Sequence, residues 1–170
     1  SSTNTDIIIP SFQVDYKDNH ITLHNLEEEK GIKVGLSDKY QHMLESDELD
    51  KKTRDFLKEK LNKAKEWIQQ LEERKRNFER LAQHIVDTQK KFVQKGALFL
   101  VPLLQKDVAK FLGVSNSTVS RIVSSKYIQT PHGIFSLKQL CPRNHFGKTK
   151  QQLEQVLALV INENPTLSDE

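Results

Sequence analysis

The chain has 170 residues, a net charge of +3, 36% hydrophobic and 29% charged side chains, which is enough for one ordinary domain or two small ones. No apolar run approaches the roughly 20 residues that span a bilayer, and nothing resembles a signal peptide, so a membrane protein, a secreted staple fold and a disordered tail are not expected. The lone cysteine, Cys141, rules out an internal disulfide framework and fits a reducing cytosol, while six Gly and five Pro argue for long regular elements.

Residues 1–49 carry 4 basic and 10 acidic side chains. Phe12-Gln13-Val14-Asp15-Tyr16 alternates apolar and polar, as does Ile21-Thr22-Leu23 after the turn residues Lys17-Asp18-Asn19. That pattern predicts a β-hairpin. Gly31 and Gly35 mark loops, and Ser37 is placed to cap a short helix through Tyr40, Met43 and Leu44.

Residues 50–95 reverse the charge, with 14 basic against 8 acidic side chains and neither Gly nor Pro. Apolar residues fall at Leu57, Leu61, Ala64, Ile68 and Leu71, then at Phe78, Ala82, Ile85 and Phe92. The spacings alternate four and three, with Lys75 and Gln89 filling the two gaps, a heptad-like seam on one long helix. At about 1.5 Å per residue it would run roughly 65–70 Å, and Gly96 is a natural stop. A helix this polar is not stable alone, so its seam must lie on something, and the plain reading is a long structural helix or a dimeric coiled coil.

Residues 96–148 carry 7 basic side chains and a single acid, Asp107, the electrostatic footprint of a polyanion binder. Gln105 to Leu112 forms a short amphipathic helix, Gly113-Val114-Ser115 a turn, and Asn116 to Ser125 a second helix. Ala109 is small where two helices cross, Gly113 supplies the positive φ of a tight turn, and Ser115 sits at the N-cap. Val119 and Ile122 point to the core, leaving Ser117, Thr118, Ser120 and Arg121 outward. Those offsets spell a helix-turn-helix. Tyr127-Ile128-Gln129 and Ile134-Phe135-Ser136-Leu137, around Thr130-Pro131-His132-Gly133, suggest a small wing-like hairpin beside it.

Residues 149–170 carry 1 basic and 4 acidic side chains. Leu153, Val156, Leu157, Val160 and Ile161 repeat with helical spacing, and Asn164-Pro165 ends that helix. Leu167-Ser168-Asp169-Glu170 reads as the cap and first turn of a further helix. With Ser1-Ser2 in place of Met, the chain is expected to be a fragment of a longer protein. The fold class is therefore mainly α: a small N-terminal β-hairpin and helix, one long helix, a helix-turn-helix with a wing-like hairpin, and a C-terminal helix. Its divisions fall at 1–49, 50–95, 96–148 and 149–170.

Chemistry has little support. Gly147-Lys148-Thr149 looks like the end of a phosphate-binding loop, but Pro142 stands where the first glycine is required. Cys141 and His145 lack a second ligand pair, and His20 and His24 on a strand are too far apart to chelate. No enzyme activity, cofactor or metal is expected. Binding is better supported: the hydroxyls of Ser117, Thr118 and Ser120 suit phosphates or base edges, and Arg121 can reach a guanine bidentately. Ser115, Asn116 and Lys126 complete the candidate DNA-binding set, and Lys110, Lys126 and Lys138 would neutralise phosphates and make binding salt-dependent. The plainer alternative is a structural helical hairpin with a solvated basic face.

Lys106-Asp107-Val108-Ala109, Ser117-Thr118-Val119-Ser120-Arg121, Lys126-Tyr127-Ile128-Gln129-Thr130-Pro131 and Gly133-Ile134-Phe135 resemble the bacterial sigma-N (RpoN-type, enhancer-dependent) RNA polymerase sigma factors. Ile9-Pro10 with its hairpin and Tyr40 to Leu44 look like the end of that family's core-binding region. Trp67-Ile68, Leu71-Glu72 and Ile85-Val86 resemble its extra-long helix. Glu163-Asn164-Pro165 and Leu167-Ser168-Asp169 resemble the approach to its C-terminal promoter-reading domain. Essentially the whole chain is covered, and Ser117–Thr130 is the most specific stretch.

The resemblance implies a cytoplasmic protein of the bacterial nucleoid that binds core RNA polymerase and places its helix-turn-helix on the downstream promoter element. It would help hold the closed complex until an ATP-driven activator remodels it, with Arg121 reading bases. The glutamine-rich activator-responsive region and the short basic signature box are absent, so activated transcription by this fragment alone is not expected. His132 stands where the family commonly has a basic residue, and Cys141-Pro142 replaces an aromatic pair, which bears on the wing contacts. A dimeric helix-turn-helix repressor or partition-type DNA binder, joined through the 57–92 seam, is the alternative. A third reading is an interaction scaffold without sequence-dependent DNA binding.

Overall fold

The computed structural model describes residues 7–30, 38–45, 49–145 and 147–163. Gly31, Gly35, the expected Ser37 cap and the expected further helix at Leu167–Glu170 lie outside the described residues. The chain divides into two compact units, one joining residues 1–29 with 79–170, the other comprising 30–78.

The first unit begins with the expected hairpin, β1 (Phe12–Lys17) against β2 (His20–Asn25), registered from Phe12 opposite Asn25 to Lys17 opposite His20. Its two-residue turn needs positive φ, and Asp18 (49°) and Asn19 (64°) are residue types that tolerate it. Alternation buries Phe12 and Val14. Asn25 then starts α1 (Leu26–Lys30), its side-chain oxygen accepting from the Glu27 and Glu28 amides. Its amide group donates to Glu79 Oε1 at 2.7 Å.

The expected wing is present as β3 (Tyr127–Thr130) and β4 (Gly133–Ser136). The two hairpins do not stand apart. They join in one four-stranded sheet, ordered β2-β1-β3-β4, in which β1 and β3 run parallel with Phe12 opposite Ile128 and Gln13 opposite Gln129. The Ser11 amide extends this seam by donating to the Tyr127 carbonyl at 2.9 Å.

The long helix is present, with an interruption that the heptad pattern does not show. It starts after Asp50, whose carboxylate accepts from the Thr53 amide at 3.3 Å, and runs as α3 (Lys51–Thr88). Gln89 leaves helical geometry (φ −96°, ψ 26°), and α4 (Lys90–Lys95) follows up to the stop at Gly96. The backbone ladder survives the break, from Gln89 N to Ile85 O at 2.9 Å and from Val93 N to Gln89 O at 3.1 Å. What draws Gln89 inward is its side chain. Its amide donates to the Val101 and Leu140 carbonyls at 2.8 and 2.9 Å, and its oxygen accepts from the Val101 amide at 2.9 Å.

Burial along α3 differs between the units. Leu81, Ala82, Ile85 and Val86 of the first unit are fully buried, and Phe92 and Val93 of α4 continue the core. In the second unit, which also holds α2 (Asp38–Glu45), the seam residues Leu57, Leu61, Ala64, Ile68 and Leu71 are half-buried. Phe56 and Trp67 of that unit are exposed, and Lys60 Nζ lies 5.4 Å from the Phe56 ring centroid.

The last helix, α7 (Lys150–Glu163), begins with a reciprocal capping box. The Gln152 amide donates to Thr149 Oγ1 at 3.3 Å and the Thr149 amide to Gln152 Oε1 at 3.0 Å. Gln152 Nε2 also donates to the Leu98 and Leu100 carbonyls, at 2.7 and 2.8 Å, which fastens the helix start to the segment that follows Gly96. Among the described residues no helix is long and apolar enough to cross a membrane.

Candidate nucleic-acid interface

The helix-turn-helix consists of α5 (Gln105–Leu112) and α6 (Asn116–Ser125). Val108, Ala109 and Leu112 are buried from α5, and Val119 and Val123 from α6. Val119 is inward as expected, but Val123 takes the core place expected of Ile122, which is half-buried. Positions 119 and 123 are one helical turn apart, so they stack on the same face. Gly113 has φ 71°, and the amides of Gly113 and Val114 both donate to the Ala109 carbonyl. A Cβ there would meet nothing within 4 Å, so the handedness of the turn, and not space, requires glycine.

Ser115 caps α6 as expected, Oγ accepting from the Thr118 amide at 3.2 Å. The same oxygen lies 3.0 Å from Ser117 Oγ and 2.7 Å from Thr118 Oγ1, a hydroxyl cluster at the helix start. Ser115→Ala should cost about 1 kcal/mol of stability, read as a shift in the urea midpoint at constant slope.

Asn116, Ser117, Ser120 and Arg121 are exposed, while Thr118 is half-buried with its hydroxyl turned into the cap. Ser124, also exposed, falls on the face of Ser117, Ser120 and Arg121; the i, i+3, i+4, i+7 spacing is the signal that finds it. Arg121 Nε donates to the Ser117 carbonyl at 3.3 Å, laying the guanidinium along its own helix. Lys110 and Lys138 are exposed. Lys126, just past α6, is not simply solvated: its ammonium pairs with Glu27 at 2.5 Å.

Two aromatic contacts hold the module and its wing against α3 and α4. His84 of α3 stacks on Phe111 of α5, centroids 4.0 Å apart and planes 15° from parallel. In the wing turn, His132 Nε2 bonds the Val93 carbonyl at 2.9 Å, with its ring 5.7 Å from that of Phe92. The residue that departs from the family pattern thus has a structural attachment.

The residues weighed for other chemistry do not converge. His20 and His24 face Lys17 and Gln13 across the hairpin. Burial pushes the Cys141 thiol up to about 12, which keeps it out of thiolate chemistry at neutral pH. No group of three or more His, Cys, Asp or Glu among the described residues is placed to hold a metal ion.

The sigma-54 DNA-binding domain family matches residues 54–170 of the chain. The chain belongs to the sigma-54 family. The RNA polymerase sigma-54 factor of Acinetobacter guillouiae is 30% identical over 169 residues, covering 95% of this chain and 34% of that protein. That of Pseudomonas aeruginosa (strain UCBPP-PA14) is 32% identical over 138 residues, covering 81% and 27%. The chain therefore spans about a third or less of these sigma-54 relatives. Among solved structures, Aquifex aeolicus sigmaN bound to promoter DNA superimposes with a TM-score of 0.68 and 26% identity, over 92% of this chain and 47% of that one.

Proposed function

We propose that this chain is the part of a sigma-54 factor that grips promoter DNA, with α6 as the element that reads it. The observation that carries the reading is the single exposed face of Ser117, Ser120, Arg121 and Ser124 on a capped helix, within a segment holding one acid among 7 bases. The promoter DNA bound to the similar Aquifex aeolicus sigmaN supports it. α6 lies in the major groove with its N-terminal half toward the bases, and Arg121 swings from its own helix onto a guanine edge. Ser115, Asn116, Ser117, Thr118 and Ser120 supply phosphate or base-edge contacts, and Lys110 and Lys138 meet backbone phosphate.

Residues 1–49 correspond in this reading to the end of the core-binding region, residues 50–95 to the supporting helix, residues 96–148 to the DNA-binding module, and residues 149–170 to the start of the C-terminal promoter-reading domain. Core RNA polymerase and an ATP-dependent activator act through the full-length factor in the bacterial nucleoid. The activity is binding and not catalysis. The family match favours this reading over a dimeric repressor.

The test is a fluorescence titration of the chain with a sigma-54 promoter duplex and a scrambled duplex at two salt concentrations. Preference for the promoter should fall by about 1–3 kcal/mol, roughly 5- to 150-fold, in Arg121→Ala. Equal binding to both duplexes, unchanged by the substitution, would exclude base reading by Arg121.

A further inference from the structure

Lys126 follows α6 directly, its amide donating to the Ile122 carbonyl, so its ammonium stands at the end of the helix proposed to lie on DNA. In the structure that ammonium donates to Glu27 Oε1, from α1, 99 positions away in sequence. The carboxylate is not there by a chance rotamer. The same oxygen accepts from Ser11 Oγ at 2.8 Å. Ser11 is buried, and its backbone is fixed on both sides: its amide donates to Tyr127 O and its carbonyl accepts from Leu26 N, each at 2.9 Å. The parallel β1–β3 seam thus holds Glu27 beside Lys126. Partial burial pushes the Glu27 carboxyl up, but the hydrogen bonds from Lys126 and Ser11 outweigh it and hold the group below its usual value. It is fully ionised at neutral pH.

A carboxylate and a phosphate oxygen make the same kind of charge-assisted bond to an ammonium, so they compete for it. We propose that Glu27 is an internal competitor for a DNA phosphate at Lys126, so that α1 limits the affinity of the recognition helix for DNA. This rests on the DNA-binding reading above. Binding then exchanges one anion for another at Lys126 and leaves Glu27 beside the DNA, in place of releasing a counterion. Neutralising Glu27 restores a full phosphate contact. Both side chains remain partly exposed, 35% for Lys126 and 46% for Glu27, so the exchange requires no opening of the core.

The experiment is a fluorescence anisotropy titration of the whole chain on the promoter duplex across a salt series, with Glu27→Gln, Lys126→Gln and the double variant. Gln at 27 keeps an acceptor for Ser11; Glu27→Ala run beside it, with thermal melts of each, separates charge removal from loss of fold. Glu27→Gln should tighten binding by about 3- to 10-fold at low salt and steepen the salt dependence by up to about one unit of log K per log salt. Lys126→Gln should weaken binding, and in its background Glu27→Gln should have a much smaller effect, only that of removing a negative charge beside the DNA. Lys126→Gln weakening binding while Glu27→Gln changes nothing would overturn the competition and leave the DNA contact standing. No effect of Lys126→Gln at any salt would remove Lys126 from the interface and the proposal with it, while Arg121 still tests base reading. Weaker binding in well-folded Glu27→Gln would make the carboxylate a strut.

Discussion

Gln89→Leu should destabilise the first unit by about 2–4 kcal/mol, although leucine nearly matches glutamine in volume. Gln89 is 1% exposed, and its amide answers two carbonyls and one amide at once. The Leu140 carbonyl sits in the buried part of that set, so it would lose its partner away from water and bear the full penalty of an unsatisfied group. The Val101 groups are part-buried and regain some solvation. Against the 5–15 kcal/mol typical of a domain this is a large fraction, and Tm should fall by on the order of 10 °C. Gln89→Glu separates hydrogen bonding from packing. A carboxylate there would face two carbonyl oxygens, so its folded pKa would lie above the ordinary value of about 4.3. Such a group is disfavoured once ionised: the variant should be least stable at neutral pH and regain stability as pH falls toward 4. Urea denaturation at pH 7 and pH 4 reads both signs, and a pH-independent loss would show that the carboxyl at 89 is not held against the two carbonyl oxygens.

Phe92→Ala should be the costliest single change, about 3–5 kcal/mol. The ring is fully buried at the start of α4, edge-on to Phe135 of β4 at 5.2 Å and 87°, and tilted against His132. One side chain therefore serves as core for the helix and as the floor of the wing. Alanine would leave a cavity and withdraw the surface against which the His132 ring is held for its bond to the Val93 carbonyl. Phe92→Leu retains most of the volume and should cost well under half as much. Chemical denaturation checks the stability ladder. A near-neutral Phe92→Ala would mean that the wing is not packed on α4 as described.

Much of the candidate site is legible in the sequence because its rules are local. The positive φ at Gly113, the cap at Ser115 and the outward face of Ser117, Ser120 and Arg121 each depend on neighbours within a turn or two of helix. The same locality reveals the Asp18-Asn19 turn and the existence of both hairpins. Even there the helical period alone does not decide between Ile122 and Val123. Both lie near the inner face, and the partner surface around Val119 selects the position four residues on.

What lay beyond the sequence is long-range. A strand edge carries no side-chain label for its partner, because the pairing is made by backbone amides and carbonyls that every residue has; nothing in Phe12–Lys17 names Tyr127–Thr130 as the neighbour. Gln89 reads as a gap in a heptad seam because polarity is visible in a sequence and three distant backbone partners are not. Glu27 and Lys126 each look like one more solvated charge until the β1–β3 seam brings them together. The sequence by itself determined the two hairpins, the helix pair with its Ser115 cap and the exposed face of Ser117, Ser120 and Arg121, since those follow from residues a few positions apart. The tertiary structure alone decided which edges pair, which polar group is buried and which cation already has an anion, since those depend on backbone and charge meeting across the whole chain.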